Sequence, residues 1–324
     1  MKILFNFIFQ KNYETYKRKI KFNTPIKYFV SSKIKIIEEE INLKYNMEEI
    51  YEYCLQKRGY DPYIAYQIFE EEGEKNKLDS NYLYYSKINN ENVFKRMCKI
   101  IPQDSFKNFI HKFILNCEDI LLFRKQFTVS YAINNLMNFI ISDNTILKNI
   151  SFNKETGLCI FNTDLKEFPF NNYKELEEQK SGTTIRLTKN INNFLSISSI
   201  YGIIPGVFYF SCKALINKQK ILKTILKLCL GNNIDIYKQV EIHANNYINK
   251  FKYVINMEDD PEYFQNKTIR NNLLDNSDDY DNMSDKEIKG DNKDGNMKNI
   301  FELIENSMND DKLMRKSVDY EAWF

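Results

Sequence analysis

Residues 118–164 constrain the fold more than any other part of this chain. No Pro or Gly interrupts the sequence from Glu118 to Ser142, and Asn116 is well placed to cap a helix that starts here. Apolar residues recur at three- and four-residue steps, which predicts a long helix with one apolar face: Val129, Ile133, Leu136, Met137 and Ile140. Two short apolar runs then flank the turn sequence KETG at 154–157, which predicts a β-hairpin. A long helix followed by a hairpin favours the α+β class.

The rest of the sequence predicts a small strand-containing part followed by a large helical part. The N-terminal predictions are a helix at 1–16, strands at 17–22, 25–30 and 33–37, helices at 47–57, 62–71, 91–100 and 104–115, and a polar loop at 78–90. The predictions after the hairpin are a loop at 166–182, an extended piece at 184–188 and helices at 190–198, 203–217, 219–229 and 234–253.

Length and composition set broad limits. A chain of 324 residues can hold one large or two modest domains. Its 46 basic and 44 acidic residues nearly balance, so net charge favours neither nucleic acid nor an acidic surface as a partner. The six cysteines form no CxxC pair, and we expect reduced thiols in an intracellular protein.

Two apolar runs could imitate membrane-directed segments. Residues 1–9 resemble the start of a signal peptide, but the run is short and no small-residue cleavage site follows. Residues 197–216 contain Pro205, Lys213 and two glycines, which favours a buried helix over a membrane span. We therefore expect no membrane as a partner.

A basic cluster runs from Lys17 to Lys35. It is compatible with a nuclear localisation signal or a nucleic-acid patch, and also with the solvated face of short strands or the protection of a sheet edge. Alternating lysines on strands favour the solvated face, so we expect no direct nucleic-acid binding. A helical nucleic-acid-binding protein remains an alternative function.

Composition changes near the C-terminus. Residues 258–295 hold 12 Asp or Glu against 5 Lys or Arg, which predicts a flexible acidic linker at 257–297. A helical apolar stripe returns after Lys298, and the single tryptophan, Trp323, stands one residue from the end. We expect Trp323 to dock into a pocket, with a chance aromatic as the alternative.

Several of these motifs resemble the phosphatidylinositol-3-kinase-related kinase family. FRKQF at 123–127 is similar to its long C-lobe helix, IRLTKNI at 185–191 to its FRLT-x-N motif, and GIIPGVFYFSC at 202–212 to the segment that follows. Within that family, CKIIPQDS at 98–105 resembles the transformation/transcription domain-associated pseudokinase branch most closely. The last residues, 298–324, resemble the FATC element of the same family.

Active members of the family carry Asp-Arg-His, an Asn five residues after that Asp, and Asp-Phe-Gly after the hairpin. Counting back from Gly157 places Asn149 at the metal-binding Asn, and the Asp-Arg-His positions then fall on Asn144, Thr145 and Ile146. Counting forward from Ser130 shifts them by one residue, to Thr145, Ile146 and Leu147. Neither register restores Asp-Arg-His.

The other parts of a phosphoryl-transfer site are also missing from the expected places. Thr163, Asp164 and Leu165 stand where Asp-Phe-Gly is expected, and none of the nine glycines forms a phosphate loop. Asp143, Asn149 and Asp164 could form a residual metal site, but loop Asp and Asn residues are common without one. His111 and His243 lie away from these positions, and we interpret them as core or surface residues. We predict no catalytic, cofactor-binding or metal-binding residues.

The resemblance implies a protein-kinase-like fold with a truncated small β-containing lobe, a large helical C-lobe and a C-terminal FATC helix. It divides the chain into a pseudokinase domain at 1–256 whose small lobe is incomplete, the linker at 257–297 and a FATC domain at 298–324. Since family members are far larger, we expect a fragment or a reduced protein that relies on another chain.

The function that the resemblance implies is that of a non-catalytic, nuclear scaffold. Its expected partners are subunits of a histone acetyltransferase coactivator complex and transcription activators. The alternative from the same family is an active protein or lipid kinase with a rearranged active site.

Overall fold

In the computed structural model, the described residues are 1–24, 27–30, 35–38, 44–75, 82–141, 146–162, 185–230, 237–255, 297–314, 316 and 318–324. The predicted loop at 166–182 and the predicted acidic linker, apart from Met297, lie outside these residues.

Helices make up most of the described chain. Before the hairpin they are α1 (Lys2–Lys11), α2 (Tyr13–Lys17), α3 (Met47–Gln56), α4 (Ile64–Lys75), α5 (Tyr82–Ile100), α6 (Ser105–Ile110) and α7 (Cys117–Ile141). After it they are α8 (Lys189–Leu195), α9 (Ile204–Ile216), α10 (Gln219–Leu230), α11 (Tyr237–Val254), α12 (Lys298–Met308) and α13 (Asp310–Met314). A π-helical turn, Ser199–Ile203, leads into α9, and 3-10 turns span Leu147–Asn149 and Val318–Tyr320.

The described strands form two small antiparallel sheets. β1 (Lys27–Val30) pairs with β2 (Lys35–Glu38), as the sequence predicts. β4 (Ile150–Asn153) and β5 (Cys159–Phe161) form the predicted hairpin, with Phe152 opposite Cys159. A strand that the sequence did not predict, β3 (Lys44–Asn46), pairs with β4 and completes a three-stranded sheet.

The long helix α7 runs through the core. Its side chains Phe123, Phe127 and Tyr131 form an aromatic ladder, with successive ring centroids 6.4 and 5.2 Å apart. Phe152 of the hairpin and Phe194 of α8 meet the Phe127 ring edge-on, which is a favoured aromatic geometry. Each ladder residue is nearly or fully buried. The ladder therefore joins the hairpin to the later helices.

The predicted apolar face of α7 is confirmed. Ile133, Leu136, Met137 and Ile140 are at most 2% exposed, and Val129 is partly buried. Asn116 caps the helix as predicted, because its side-chain oxygen accepts a hydrogen bond from the Glu118 amide at 3.1 Å.

The strand predicted at 17–22 is wrong, because the structure has the end of α2 there. Lys19 adopts the left-handed conformation with φ 55°, and the Ile20 amide donates to the Thr15 carbonyl at 3.0 Å. This is a Schellman-type helix end. Ile20 and Phe22 are buried, so their alternation anchors the turn to the core instead of forming a strand.

The loop predicted at 78–90 is also wrong from Tyr82 onward, where α5 begins. Its polar composition gives weak local helix propensity, and packing against α4 overrides it. The later part of α5 buries Val93, Phe94 and Met97, and Arg96 pairs with Glu71 of α4 at 2.9 Å.

Among the described residues, Ser199–Ile216 is one stretch that is long and apolar enough to cross a membrane by length and composition. In this fold 56% of it is buried, and α9 packs against α1, α7, α10, α11 and α12. This stretch therefore forms part of the helical core, as the sequence predicts. The described cysteines, Cys54, Cys98, Cys117, Cys159 and Cys212, form no disulfide with one another.

Candidate functional site

The hairpin is fixed to α7 through its backbone. The Ser130 hydroxyl accepts a hydrogen bond from the Cys159 amide at 2.8 Å, and the Asn134 side-chain amide donates to the Cys159 carbonyl at 3.3 Å. At the turn, Gly157 has φ 72°, and a Cβ there would lie 2.7 Å from the Phe123 carbonyl oxygen. The turn therefore requires glycine for both its conformation and its close approach.

Only part of the predicted catalytic loop lies within the described residues. Ile146 and Asn149 bound the 3-10 turn before β4, and the Asn149 amide donates to the Ile146 carbonyl at 3.1 Å. The Asn149 carbonyl accepts from the Asn162 amide at 2.7 Å. The predicted positions at Asp143, Asn144, Thr145, Thr163, Asp164 and Leu165 lie outside the described residues. The loss of the catalytic triplets thus stays a prediction from sequence.

The same holds for the residual metal site. Two of its three candidate residues, Asp143 and Asp164, lie outside the described part of the chain. Within that part, no group of three or more His, Cys, Asp or Glu side chains could hold a metal ion. His111 is an exposed residue. Partial desolvation of its ring lowers its pKa, and the nearby positive charges of Lys107 and Arg124 lower it further. His243 belongs to α11, but its side chain is outside the description.

A second region of interest is the contact between the IRLTKN motif, residues 185–190, and the C-terminal residues 320–324. The motif is itself anchored on α7. The Arg186 amide donates to the Asn135 side chain at 2.8 Å, and the Arg186 carbonyl accepts from the Tyr131 hydroxyl at 2.8 Å. Burial raises the pKa of Tyr131, so its hydroxyl stays a donor.

Arg186 is the largest fully buried side chain in the described structure, at 1% exposure. Its guanidinium donates to the Tyr320 carbonyl and, at 3.0 Å, to the Glu321 carbonyl. The guanidinium also lies 4.5 Å from the centroid of the Tyr320 ring. Two carbonyl oxygens and a π face therefore replace part of the hydration that this cation loses on burial, while its Nε is without a hydrogen bond within the described residues.

Two further side chains of the motif hold the last two residues. The Thr188 hydroxyl donates to the main-chain oxygen of Phe324 at 2.5 Å, and the Asn190 side-chain amide donates to the Trp323 carbonyl at 3.1 Å. The Asn190 side-chain oxygen also accepts from the Phe106 amide at 3.1 Å. We call Arg186, Thr188 and Asn190 the tail seat.

Apolar contacts close the tail seat. Trp323 is 3% exposed and its indole N–H donates to the Tyr51 hydroxyl at 3.2 Å, so the expected docking of this residue is confirmed. Phe324 is fully buried, with ring centroids 5.4 Å from Tyr51 and 6.3 Å from Phe106. The C-terminal residues thus complete the core between α3, α6 and the IRLTKN motif.

One acidic side chain in this region has an altered pKa. Burial raises the pKa of Glu321 to about 7, against the opposing effects of Arg186 and a hydrogen bond from the Leu147 amide. Glu48 and Asp319 act in the same direction as burial. Because Leu147 begins the 3-10 turn before the hairpin, Glu321 connects the C-terminal residues to the segment that precedes the hairpin.

Two curated proteins are similar to this sequence. It is 25% identical over 251 residues to the SAGA complex/NuA4 acetyltransferase complex subunit TRA1 of Saccharomyces cerevisiae. It is 24% identical over 166 residues to the subunit Tra1 of the same complexes in Schizosaccharomyces pombe. The chain is homologous to the Tra1 proteins. The matches cover 71% and 45% of this chain, but only 7% and 4% of those two proteins. No family model matches the sequence.

Solved structures confirm the resemblance at the level of the fold. The FAT and kinase domain of CtTel1 superposes with a TM-score of 0.59 and 14% identity, covering 100% of this chain and 20% of that one. The open conformation of CtTel1 gives a TM-score of 0.57 over 99% of the chain. The resemblance to the phosphatidylinositol-3-kinase-related kinases, with Tra1 as a homologue, is therefore confirmed.

In this Tra1 homologue, the sequence indicated both the tail seat and the C-terminal residue that it holds, but not the contact between them. It singled out IRLTKN and expected Trp323 to dock, but it did not predict that one holds the other. The available signal was the alternation of Arg186, Thr188 and Asn190 with the apolar residues Ile185, Leu187 and Ile191. Polar side chains buried on one side of such a segment require partners, and here the partners are backbone carbonyls.

Proposed function

We propose that this chain is a non-catalytic, kinase-like scaffold segment of a histone acetyltransferase coactivator complex. The observation that carries the proposal is the homology to Tra1, a SAGA and NuA4 subunit by name, over 251 residues. Subunits of such a complex would be its direct partners, transcription activators would dock on it, and it would work in the nucleus.

The sequence of the kinase-like centre supports a non-catalytic role. Phosphoryl transfer needs an Asp to orient the nucleophile and a second Asp to hold magnesium. In the register counted from Gly157, Asn144 and Thr163 occupy those places. The hairpin itself is held by hydrogen bonds between its backbone and the side chains of Ser130 and Asn134, and by Gly157, and these do not depend on catalytic side chains.

The domain assignment is part of the same proposal. Residues 1–256 form the kinase-like domain, with a small strand-containing part and a large helical lobe. Residues 257–297 form an acidic linker. Residues 298–324 form a FATC element, supported by the burial of Trp323 and Phe324 against the tail seat.

Complex membership can be tested with the protein in its own cells. The full-length protein is tagged and purified from nuclei, and the eluate is assayed for acetyltransferase subunits and for acetyl transfer to nucleosomal histones. We expect both with the native sequence and neither with the tag alone. A folded, nuclear protein that recovers no acetyltransferase subunit would contradict the scaffold proposal.

The kinase alternative needs a separate test. We expect no heat of binding when magnesium-ATP is titrated into the full-length protein, and no phosphoryl transfer. The informative variants are Asp143→Asn and Asp164→Asn, with the exposed Asp61→Asn as the matched control. Magnesium-ATP binding that Asp164→Asn removes and Asp61→Asn retains would establish an active site.

A further inference from the structure

A cavity of about 620 Å³ lies on the side of α7 that bears Leu122, Gln126 and Val129, outside the tail seat. One wall is the turn after α2, the second is α7, and the third is the π-helical turn with the start of α9. The volume is in the range of pockets that bind organic ligands, which is roughly 300–1,000 Å³.

The rim of this cavity is strongly basic. Lys17, Arg18, Lys19 and Lys21 line the first wall and Lys125 lines the second, whereas none of the described lining residues carries a carboxylate. Arg18 forms an ion pair with Glu14, and its guanidinium stacks on the ring of Phe210 in α9. Lys19, Lys21 and Lys125 have no ion-pair partner within the described part of the chain. Like charges gathered in this way favour an anionic occupant.

The local fold explains why the lysines gather there. Lys19 takes the left-handed position of the helix end, and the buried Ile20 and Phe22 anchor the turn. Lys19 and Lys21 alternate with these anchors and are therefore exposed on the cavity side. Their position is set by the core, not by a flexible tail.

The floor of the cavity is apolar. Leu122, Val129, Leu158, Ile203 and Val207 form it, and Leu122 is 58% exposed. Gly202 and Gly206 lie four residues apart on the third wall, and a Cβ at either would meet nothing within 4 Å. Because these two glycines have no side chain, the space above the apolar floor stays open.

We propose that this cavity binds an acidic peptide segment that carries bulky apolar side chains. Cations on two facing walls suit an extended chain with several carboxylates, while the apolar floor suits its aromatic or aliphatic side chains. A phosphate-only ligand would use the lysines and leave the apolar floor unused. The assignment rests on the proposed scaffold function and names the chemistry of a docking partner.

Direct binding of a defined probe tests the proposal. The probe is a short fluorescent peptide in which Asp or Glu alternates with Phe or Leu, and its anisotropy is measured against full-length protein. We expect saturable binding that weakens as salt concentration rises. A peptide with the same charge but Ser in place of Phe and Leu should bind about tenfold more weakly, because it loses the apolar contacts.

Two variants test the basic walls and the apolar floor of the cavity separately. Lys21→Glu with Lys125→Glu reverses charge on both walls, and we expect an affinity loss of about tenfold or more. Gly206→Leu fills the floor within an α-helix, where leucine is better tolerated than glycine, and should cause a similar loss. The matched control is Lys57→Glu with Lys99→Glu, two exposed lysines that do not line the cavity. Thermal unfolding of each variant checks that the fold is intact.

Three results would overturn the assignment. One is equal weakening by the control pair, which would show general attraction to a basic surface. Another is a single-stranded oligonucleotide that binds the same cavity more tightly than the peptide, which would favour nucleic acid. The third is unchanged peptide binding in the charge-reversed variant. Co-purification of acetyltransferase subunits is a separate measurement, so failure of the pocket and failure of the scaffold proposal are distinguishable.

Discussion

The hairpin and the tail seat both rest on α7, but they are held in different ways. Backbone groups of the hairpin pair with Ser130 and Asn134, and the turn needs only a glycine at 157. The tail seat depends on the particular side chains Arg186 and Thr188, which bond to backbone carbonyls. The hairpin can therefore change its own side chains without losing these two bonds, whereas the tail seat loses its bonds when its own side chains change. This difference is consistent with the proposal that the kinase-like shape is kept without the catalytic residues.

The largest expected effect is at Arg186. Arg186→Ala leaves two buried carbonyls unpaired and opens a cavity, so we expect a loss of about 3–5 kcal/mol in the free energy of unfolding. Trp323, the single tryptophan, should shift its fluorescence to longer wavelength as the tail seat releases it. Urea unfolding followed by this fluorescence measures both.

The exposed Arg58 provides the control for that experiment. Arg58→Ala should change stability by less than about 0.5 kcal/mol. A loss below about 1 kcal/mol for Arg186→Ala, with Trp323 still buried, would show that the tail seat does not depend on the guanidinium.

The next effect concerns pH. Burial raises the pKa of Glu321 from 4.5 to about 7, so the folded state holds this proton more tightly than the unfolded state. Its contribution to stability is fully present below pH 4.5 and is lost as pH rises through about 7. The loss has an upper limit of about 3 kcal/mol, which is the energy equivalent of that shift. Glu48, whose pKa burial also raises, should add to the trend.

Glu321→Gln separates this effect from other titrations. The variant should be more stable than the native protein above pH 7, and the difference should shrink toward pH 4.5. Unfolding by urea across this range, read through Trp323, gives the two curves. Parallel curves for the native and variant proteins would exclude Glu321 as the source of the pH dependence.

Gly157 provides the corresponding test of the hairpin. Gly157→Ala forces alanine to φ 72° and brings its Cβ to 2.7 Å from the Phe123 carbonyl oxygen, so we expect a loss of about 2 kcal/mol. Gly59 also has a positive φ, 79°, but a Cβ there would meet nothing within 4 Å. Gly59→Ala should therefore cost less, about 1 kcal/mol, and the difference between the two variants measures the contact with α7.

Local signals predicted the hairpin and α7 well. Periodicity and the cap Asn116 placed α7, and the turn sequence placed Gly157, because these elements depend on nearby residues. Two elements that the sequence did not predict depend on residues far away in the chain or on packing between helices. β3 forms by pairing with a strand about a hundred residues away, and α5 forms against α4 despite its polar start. The contact between Arg186 and the last residues spans more than 130 positions, and no local pattern encodes it.

The smallest expected effect is at Asn149, the residue aligned with the metal-binding Asn of active relatives. Its described hydrogen bonds to Ile146 and Asn162 use backbone atoms, which Asn149→Ala retains. We therefore expect a stability change below about 0.5 kcal/mol, and no response of the melting temperature to magnesium in either protein. A magnesium-dependent rise in melting temperature that Asn149→Ala removes would instead reveal a residual metal site. The segment before the hairpin would then bind magnesium, whereas the tail seat binds only the C-terminal residues of its own chain.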